Sequence, residues 1–388
     1  MTAAVSYKNI QIWDGESAAY LLETSLTIES GRITAIGDAN PQARDCSGLT
    51  VIPGLIDSHV HMTLDPAIHD VEKQLAQTDD DIRKKMPDRA FSMIKAGITC
   101  ARDLGGGNWL ELELRDQIRK GEIKGPRLLC AGRPITSIEG HCHFWGGAVP
   151  GASEAHHVVD QNREQGVDLI KIMATGGMFT AKSHPGRAQF SQDELTDIIS
   201  YAHDQDFAVA AHCHGSEGIA HAVFAGVDTV EHCSWMDTEG RRGEYLHDVV
   251  LEMASRDTWV SPTVNGNWAR FIQFNAAHLG IVRQQFREMK AAGVQFIAST
   301  DAGIPNVRHD DLPRALPVFA RYADMQPVDV LRTATSNAAR ALNIHSETGT
   351  VKVGRSADLV FVEGDPLKDL EVLQKPACVV ARGIEFES

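Results

Sequence analysis

Two histidines of this 388-residue sequence are separated by a single residue, a spacing that can hold a metal ion. His59 and His61 end an apolar run that is typical of a β-strand, where side chains two positions apart point to the same side. Two imidazoles on one side suit a borderline-soft divalent ion such as Zn²⁺. The alternative is that both are ordinary surface histidines, so the pair indicates a metal site only if other ligands lie nearby.

Four further residues stand at or near the ends of later apolar runs. Lys171 lies inside the run 168–173, where a lysine is costly unless it is paired or modified. A snorkelling or ion-paired lysine is the simpler explanation of that residue alone. His212, His232 and Asp301 end three further runs, and each also fits a structural role by itself. Together with the His59 and His61 pair, these residues put a histidine, lysine or aspartate at five predicted strand ends, which indicates one shared site.

Eight apolar runs of strand length alternate with helical segments between the two ends of the chain. They cover residues 55–59, 98–102, 127–131, 168–173, 207–212, 229–232, 258–261 and 294–299. The helical segments include a capping box at Ser191 and Glu194. This alternation predicts an α/β fold, a (β/α)8 TIM barrel over residues 55–348, in which functional groups lie at the carboxyl ends of the strands. A doubly wound open sheet is the alternative, because periodicity does not reveal closure.

Both ends of the chain have the pattern of β structure. Alternating runs at 25–29 and 32–36 flank Ser30 and Gly31, which predicts a hairpin. Runs at 357–362 and 377–381 are also strand-like. We therefore expect residues 1–54 and 349–388 to form one small β-sandwich domain built from both termini.

Charge and composition exclude several classes of protein. The sequence has 37 Lys and Arg against 52 Asp and Glu, so the net charge is −15, which argues against a nucleic-acid partner. No apolar run approaches the roughly 18 residues of a membrane span, and the first residues lack the pattern of a secretory signal. Seven widely spread cysteines make a poor disulfide framework. These features predict a cytoplasmic protein with no membrane partner.

The combined set of residues resembles the amidohydrolase superfamily of metal-dependent hydrolases. The resemblance rests on residues 51–61 (VIPGLIDSHVH), on Lys171, His212, His232 and Asp301 in strand order, and on residues 334–342 (ATSNAARAL). Residues 168–172 (DLIKI) with 174–177 (ATGG) are similar to the branch of imidazolonepropionase-like enzymes, Xaa-Pro dipeptidases and carboxypeptidases.

The resemblance implies a ligand set and a reaction. His59, His61 and Asp301 would bind one divalent metal ion and His212 and His232 a second, with zinc as the expected metal. Lys171, carboxylated by CO2, would bridge the two ions as a carbamate. The implied reaction is hydrolysis of an amide-type C–N bond in a dipeptide, an N-acyl amino acid or a related small molecule. A hydroxide bridging the metals would attack, with Asp301 as general acid and base.

The resemblance also suggests which residues contact the substrate. In related enzymes a histidine of the loop after the third strand does so, which points to His141 and less directly to His143. His214 shares a strand face with His212 and is expected to support it. Asn265 follows the seventh strand, where some dipeptidase-like members carry a tyrosine, so simple Xaa-Pro specificity is in doubt.

Two other interpretations remain open. A mononuclear site on His59, His61, His212 and Asp301 would fit a hydrolytic deaminase or a hydrolase of cyclic amides such as imidazolones. A catalytically silent binding protein on the same scaffold is the alternative from another class, although such relatives tend to lose ligands and all six expected ones are present here. Association into a homo-oligomer is also left open.

Overall fold

The eight predicted strands are all present. The computed structural model describes residues 4–37, 41–274 and 276–387; residues 1–3, 38–40 and 388 of the predicted terminal domain and residue 275 of the predicted barrel lie outside this description. The strands are Leu55–Val60, Ile98–Asp103, Arg127–Cys130, Ile170–Met173, Val209–Gly215, Thr229–Met236, Trp259–Ser261 and Gln295–Phe296. The first three pair in parallel as one sheet and the other five as a second. The α/β class with parallel strands is therefore confirmed.

Backbone hydrogen bonds join these two sheets at both edges. Asp168 N donates to Cys130 O at 2.9 Å, which connects the third strand to the residues just before the fourth. Ser58 N donates to Ala298 O at 3.1 Å, which connects the first strand to the residues just after the eighth. The carboxyl ends of all eight strands are thereby held on one side of the molecule.

Helices follow most of the strands and cover their outer faces. They are Val71–Leu75, Asp79–Lys95, Leu110–Lys120, Ala152–Gln165, Gln192–His203, Ser216–Phe224, His247–Ser255, Trp268–Phe274, Ala276–Ala292, Leu312–Ala323, Pro327–Thr333 and Ser336–Ala341. The predicted capping box is confirmed, because Ser191 N donates to the Glu194 carboxylate at 2.8 Å and Glu194 N donates to Ser191 Oγ at 3.3 Å. Leu195 and Ile198 of that helix are buried against the sheet, as an amphipathic helix requires.

The two ends of the chain meet in a second region made of two sheets. Leu49–Pro53 pairs antiparallel with Leu359–Glu363, so residues from both termini share one five-stranded sheet, completed by Gln11–Ile12, Cys378–Ala381 and Ile384–Glu387. The predicted hairpin is confirmed as Ser25–Glu29 and Arg32–Ile36, which form a four-stranded sheet with Val5–Lys8 and Arg44–Asp45. One apolar cluster contains residues of both sheets, among them Tyr7 and Phe361 with ring centroids 4.9 Å apart.

Two further features of the described residues concern the cysteines and the apolar character of the helices. All seven cysteines are buried and unpaired, so none of them forms a disulfide. Among the described helices, none combines the length and the apolar character that crossing a bilayer requires.

Candidate metal centre

The first group of potential metal ligands comes from the first strand and from the residues after the eighth. His59 Nε2 lies 3.3 Å from His61 Nε2, and Asp301 Oδ1 lies 3.3 Å and 3.4 Å from these two nitrogens. Both imidazoles are buried, and the Asp301 side chain is 16% exposed. One carboxylate oxygen and two ring nitrogens thus point at the same small space, an arrangement that could hold a divalent ion.

The second group comes from the fifth and sixth strands. His212 Nδ1 lies 2.9 Å from His232 Nε2, and the ring of His214 is stacked on that of His232 with centroids 4.4 Å apart. The ring of His59 is 5.3 Å from the ring of His232, so the two groups adjoin one another. His214 therefore lies close enough to the other two rings to bind a metal ion itself, whereas it was predicted only to support His212.

Each of the four predicted histidine ligands has its second ring nitrogen held by a protein oxygen. The contacts are His59 Nδ1 to Glu231 Oε2 (3.0 Å), His61 Nδ1 to Gly105 O (2.9 Å), His212 Nε2 to Gly176 O (3.0 Å) and His232 Nδ1 to Thr263 Oγ1 (2.7 Å). These contacts fix the orientation of each ring and leave one nitrogen directed at the shared space. Metal-ligating histidines are oriented in the same way in characterised sites.

The charge states of these groups also fit metal binding. Burial lowers the pKa of His59 to about 4 and lowers those of His212 and His232 well below their usual value, so these rings are neutral at neutral pH. Neutral imidazole is the form that binds a metal ion. Burial alone would raise the pKa of Asp301, but the neighbouring His59 and His61 hold it below its usual value. Burial alone would lower the pKa of His61 too, but the Asp301 carboxylate raises it above its usual value. The donor set therefore combines neutral rings at His59, His212 and His232 with an ionised carboxylate that is paired with His61.

Lys171 is buried in the same pocket, with 1% of its surface exposed. Burial lowers the pKa of its amine to about 8, against the opposing charges of Glu231 and Asp301. Within the described part of the chain, its Nζ has no hydrogen-bond or ion-pair partner. A buried amine that loses its proton this easily, and that has no fixed partner, is suited to covalent modification.

Several site residues lie where the backbone leaves regular strand geometry. His232, Thr263 and Asp301 have φ values of 67°, 52° and 61°, in the left-handed region that non-glycine residues seldom occupy. Such conformations cost free energy and persist where the surroundings enforce them, often at functional sites. Here His232 lies within the sixth strand, Thr263 follows the seventh and Asp301 follows the eighth, and all three line the pocket.

The pocket at the carboxyl ends of the strands has a volume of about 390 Å³. Of the predicted substrate binders, His141, His214 and Asn265 line it together with all six predicted ligands. His143 does not: it is exposed, and its Nδ1 lies 3.0 Å from Gly140 O in its own turn. The structure therefore gives His143 no contact with the pocket, because the short helical turn His143–Trp145 directs its ring outward.

His141 is placed beside the second group of ligands. Its ring is 4.6 Å from that of His212, and its buried Nδ1 has no partner among the described residues. A side chain at Gly177 would come within 2.4 Å of the His141 ring, so the glycine allows this histidine to approach. Asn265 lines the same pocket, and its Nδ2 donates to Thr300 O at 3.2 Å.

Sequence reasoning assigned no role to the buried charges behind the ligands. Arg102 donates to Glu231 Oε1 at 2.7 Å, and Glu231 in turn accepts from His59. Asp57 accepts hydrogen bonds from the backbone and the hydroxyl of Thr300 at 3.1 Å and 2.6 Å. The signal that identified Lys171, a charge inside an apolar run, was also present at Asp57, Arg102 and Glu231.

We expect Glu231→Gln to lower both the stability and the metal affinity of the protein. The substitution leaves the guanidinium of Arg102 buried without its carboxylate, a loss of about 3 kcal/mol in the free energy of unfolding. It also weakens the contact that orients His59, which should reduce metal affinity by about tenfold or more. Urea unfolding and metal titration of the two proteins measure these effects.

The exposed Glu239→Gln serves as the matched control, because its pair with Arg241 is solvated and contributes less than about 1 kcal/mol. Arg102 and His59 hold the pKa of Glu231 below its usual 4.5 despite burial. A carboxylate with a lowered pKa stabilises the fold above its unfolded pKa, and this contribution is lost as the pH falls. The stability difference should therefore be full at pH 7 and shrink below about pH 4.5; equal stabilities at pH 7 would contradict the assignment.

The chain is similar to several known proteins. The ochratoxinase of Aspergillus niger is 27% identical over 364 residues, which cover 85% of this chain and 73% of that protein. A probable imidazolonepropionase of Nematostella vectensis is 22% identical over 400 residues, covering 92% of this chain and 86% of that protein. The crystal structure of a Xaa-Pro dipeptidase with bound methionine in the active site superposes with a TM-score of 0.87 at 26% identity, covering 100% of both chains.

A sequence model of one family spans most of the chain. That model, described as the amidohydrolase family, matches residues 50–384, from the last strand before the His-x-His pair to the C-terminal sheet. The match includes every residue proposed above as a ligand. The chain belongs to the amidohydrolase family.

Proposed function

We propose that this chain is a binuclear metal-dependent hydrolase that cleaves an amide-type C–N bond in a dipeptide, an N-acyl amino acid or a related amide. The observation that carries the proposal is the pair of adjoining ligand groups, each with its ring nitrogens directed at a shared space and with Lys171 in the same pocket. The similarity to a Xaa-Pro dipeptidase over the full chain supports a substrate of this size.

The ligand assignment follows the two groups. His59, His61 and Asp301 would hold one divalent ion, with zinc as the expected metal, and His212 and His232 would hold the second. Lys171, carboxylated by CO2, would be the shared ligand. CO2 reacts with a neutral amine, and the lowered pKa of the buried Lys171 supplies that form near neutral pH. A carbamate would also replace a buried cation by an anion among the metal ligands.

The reaction divides between the metals and the residues of the chain. Divalent ions at this site would polarise the scissile carbonyl and make water acidic enough to act as the nucleophile near neutral pH. Asp301, ionised and partly open to the pocket, would accept the proton of that water and deliver it to the departing nitrogen. His141, His214 and Asn265 face the same space and would orient the substrate.

The same proposal includes the architecture that positions the site. The eight parallel strands would form a (β/α)8 barrel over residues 55–348, supported by the hydrogen bonds that join both sheet edges. Residues 1–54 and 349–388 would form a β-sandwich domain, supported by the apolar cluster common to the two terminal sheets.

A mononuclear hydrolase of cyclic amides is the second candidate. It is favoured by the similarity to a probable imidazolonepropionase and by the first ligand group, which brings three donor atoms together without the second. In that case His212 would join His59, His61 and Asp301 as a ligand of the single ion, Lys171 would remain an unmodified amine, and His232 would be free to contact the substrate. The number of metal ions per chain separates the two candidates.

Metal analysis of His232→Asn tests the binuclear proposal. We expect about two ions per wild-type chain, and about one in the variant, because His232 belongs only to the second group. His345→Asn, a substitution at an exposed histidine, should keep both ions. Hydrolysis of a library of dipeptides and N-acyl amino acids should disappear with a chelator and return with zinc. One ion per wild-type chain, with turnover of cyclic amides alone, would establish the second candidate instead.

A further inference from the structure

A second cavity of about 590 Å³ adjoins the metal pocket and has no role in the reaction described above. We call it the side cavity. His232, Ser234, Asn265 and Trp268 line both spaces, so a molecule bound at the ligand groups can extend from one into the other. Its volume lies in the range of pockets that bind whole small molecules.

The side cavity has aromatic walls. Trp268 packs edge to face on Tyr322 with ring centroids 4.9 Å apart, and Phe286 lies 5.9 Å from the same tyrosine ring. Trp235 from the sixth strand is buried on another wall. Rings that hold one another in place form a preorganised apolar surface, which favours a flat aromatic group.

Two polar groups in the side cavity lack partners in the described part of the chain. The Tyr322 side chain is largely buried, with 7% of the residue exposed, and its hydroxyl makes no hydrogen bond there. Arg242 is exposed, and its guanidinium makes no ion pair with any described residue, whereas the adjacent Arg241 pairs with Asp237 at 3.3 Å. Arg242 and Tyr322 therefore offer a cation and a neutral donor that could bind an anionic oxygen.

The electrostatics of this cavity favour an anion over a cation. The pKa of His278, a further wall residue, is lowered by its partial burial and by the charge of Arg242. The charge of Arg242 also acts on Tyr322, whose phenol stays protonated because burial raises its pKa. The groups facing the occupant thus include the unpaired guanidinium of Arg242, the guanidinium of Arg241 that already pairs with Asp237, the Tyr322 phenol and the His278 ring, which has little tendency to add a proton.

Building on the proposed function, we infer that the side cavity is a specificity subsite for an aromatic arm of the amide substrate, with a carboxylate on that arm bound by Arg242 and the Tyr322 hydroxyl. The aromatic walls supply apolar contact area, and the two polar groups select the acidic substituent. The substrate class is then an amide with one bulky aromatic, acidic arm rather than a dipeptide of small residues.

Turnover of matched substrates tests this subsite. N-acetyl-L-alanine is compared with two analogues, one carrying a 4-carboxyphenylacetyl group in place of acetyl and one carrying 4-carboxyphenylalanine in place of alanine. We expect kcat/KM of one analogue to exceed that of N-acetyl-L-alanine by at least about tenfold. Val282→Trp fills the cavity from the helix Ala276–Ala292 and should remove that preference without changing turnover of N-acetyl-L-alanine.

The exposed Arg242 provides a second variant that should fold normally. Arg242→Ala should lower kcat/KM about tenfold for the preferred carboxylated analogue and leave its uncarboxylated phenyl counterpart unchanged. Arg256→Ala, at an exposed arginine outside the side cavity that pairs with Glu252, is the matched control and should alter neither. Equal losses on both substrates in Arg242→Ala, or no loss, would overturn the assignment of the carboxylate.

A binding measurement separates this inference from the proposed reaction. Titration calorimetry with biphenyl-4-carboxylate on the metal-loaded protein should show about tenfold weaker binding in Val282→Trp and in Arg242→Ala than in the wild type. If no amide is hydrolysed but this pattern holds, the reaction is wrong and the subsite stands. If amides are hydrolysed and affinity is the same in all three proteins, the subsite is wrong and the reaction stands.

Discussion

Replacing Asp301 by asparagine is expected to lower kcat by about 10³-fold, the middle of the range that one positioned acid–base group contributes. Asp301 Oδ1 lies 3.3 Å from His59 Nε2 and 3.4 Å from His61 Nε2, and its side chain is partly open to the pocket. In the proposed reaction it both holds a metal and moves a proton. An amide of the same shape can remain beside the metal but cannot accept the proton.

Asparagine is also the substitution that leaves the backbone least disturbed. Asp301 has a φ of 61°, and asparagine tolerates the left-handed region far better than alanine does. Asp324→Asn is a matched control, because Asp324 has a φ of 56° and forms an exposed ion pair with Arg287 at the end of a helix. The control should keep its kcat within about twofold.

The measurements for Asp301→Asn are kcat on the preferred amide and the number of metal ions per chain. A variant that keeps its metals and loses turnover assigns the proton transfer to Asp301. If kcat stays within about tenfold of the wild type at full metal content, the proton is moved by another group, and His141 is the next candidate in the pocket.

Sequence reasoning captured the parts of the structure that follow from the periodic spacing of apolar residues. Alternation placed His59 and His61 on one strand face, and eight apolar runs located all eight parallel strands. Burial of charge within such runs also pointed to Lys171, and the structure keeps it buried. Strand pairing and side-chain alternation depend on local geometry, so they can be inferred from residue order.

The parts that it did not capture depend on loops and on contacts distant in sequence. His141 and His143 are equivalent by spacing, but a short helical turn directs only His141 into the pocket. The Arg102–Glu231 pair joins the second and sixth strands, which are more than a hundred residues apart. The side cavity depends on how the helix Trp268–Phe274 lies against the strands, and no periodic pattern encodes that placement.

The second large effect is expected for Lys171→Ala, which should lose about one metal ion per chain and lower kcat/KM by about 10³-fold. A missing ion removes several kcal/mol of transition-state stabilisation, and about 1.4 kcal/mol corresponds to each factor of ten. The alanine also leaves a space the size of a lysine side chain within the pocket. Short carboxylic acids such as formate and acetate can enter that space and supply the missing carboxylate.

Chemical rescue therefore distinguishes a carbamate from an ordinary buried lysine. Acetate should restore metal content and part of the turnover of Lys171→Ala, whereas acetamide, which has nearly the same shape but no charge, should restore neither. The exposed Lys120→Ala is the control substitution and should behave as the wild type with or without acetate. If acetamide rescues as well as acetate, the effect is one of packing, and the lysine is not carboxylated.

A direct observation of the modified carbon completes the test. Metal-loaded protein equilibrated with ¹³C-labelled bicarbonate should show one carbamate carbon resonance, which should be absent from Lys171→Ala and retained in Lys120→Ala. Because the amine of Lys171 has a pKa of about 8, the carbamate should form readily near neutral pH and more slowly in mild acid, where the amine is protonated. Unchanged metal content and turnover in Lys171→Ala, with no acid added, would exclude Lys171 as a shared ligand and favour the mononuclear hydrolase.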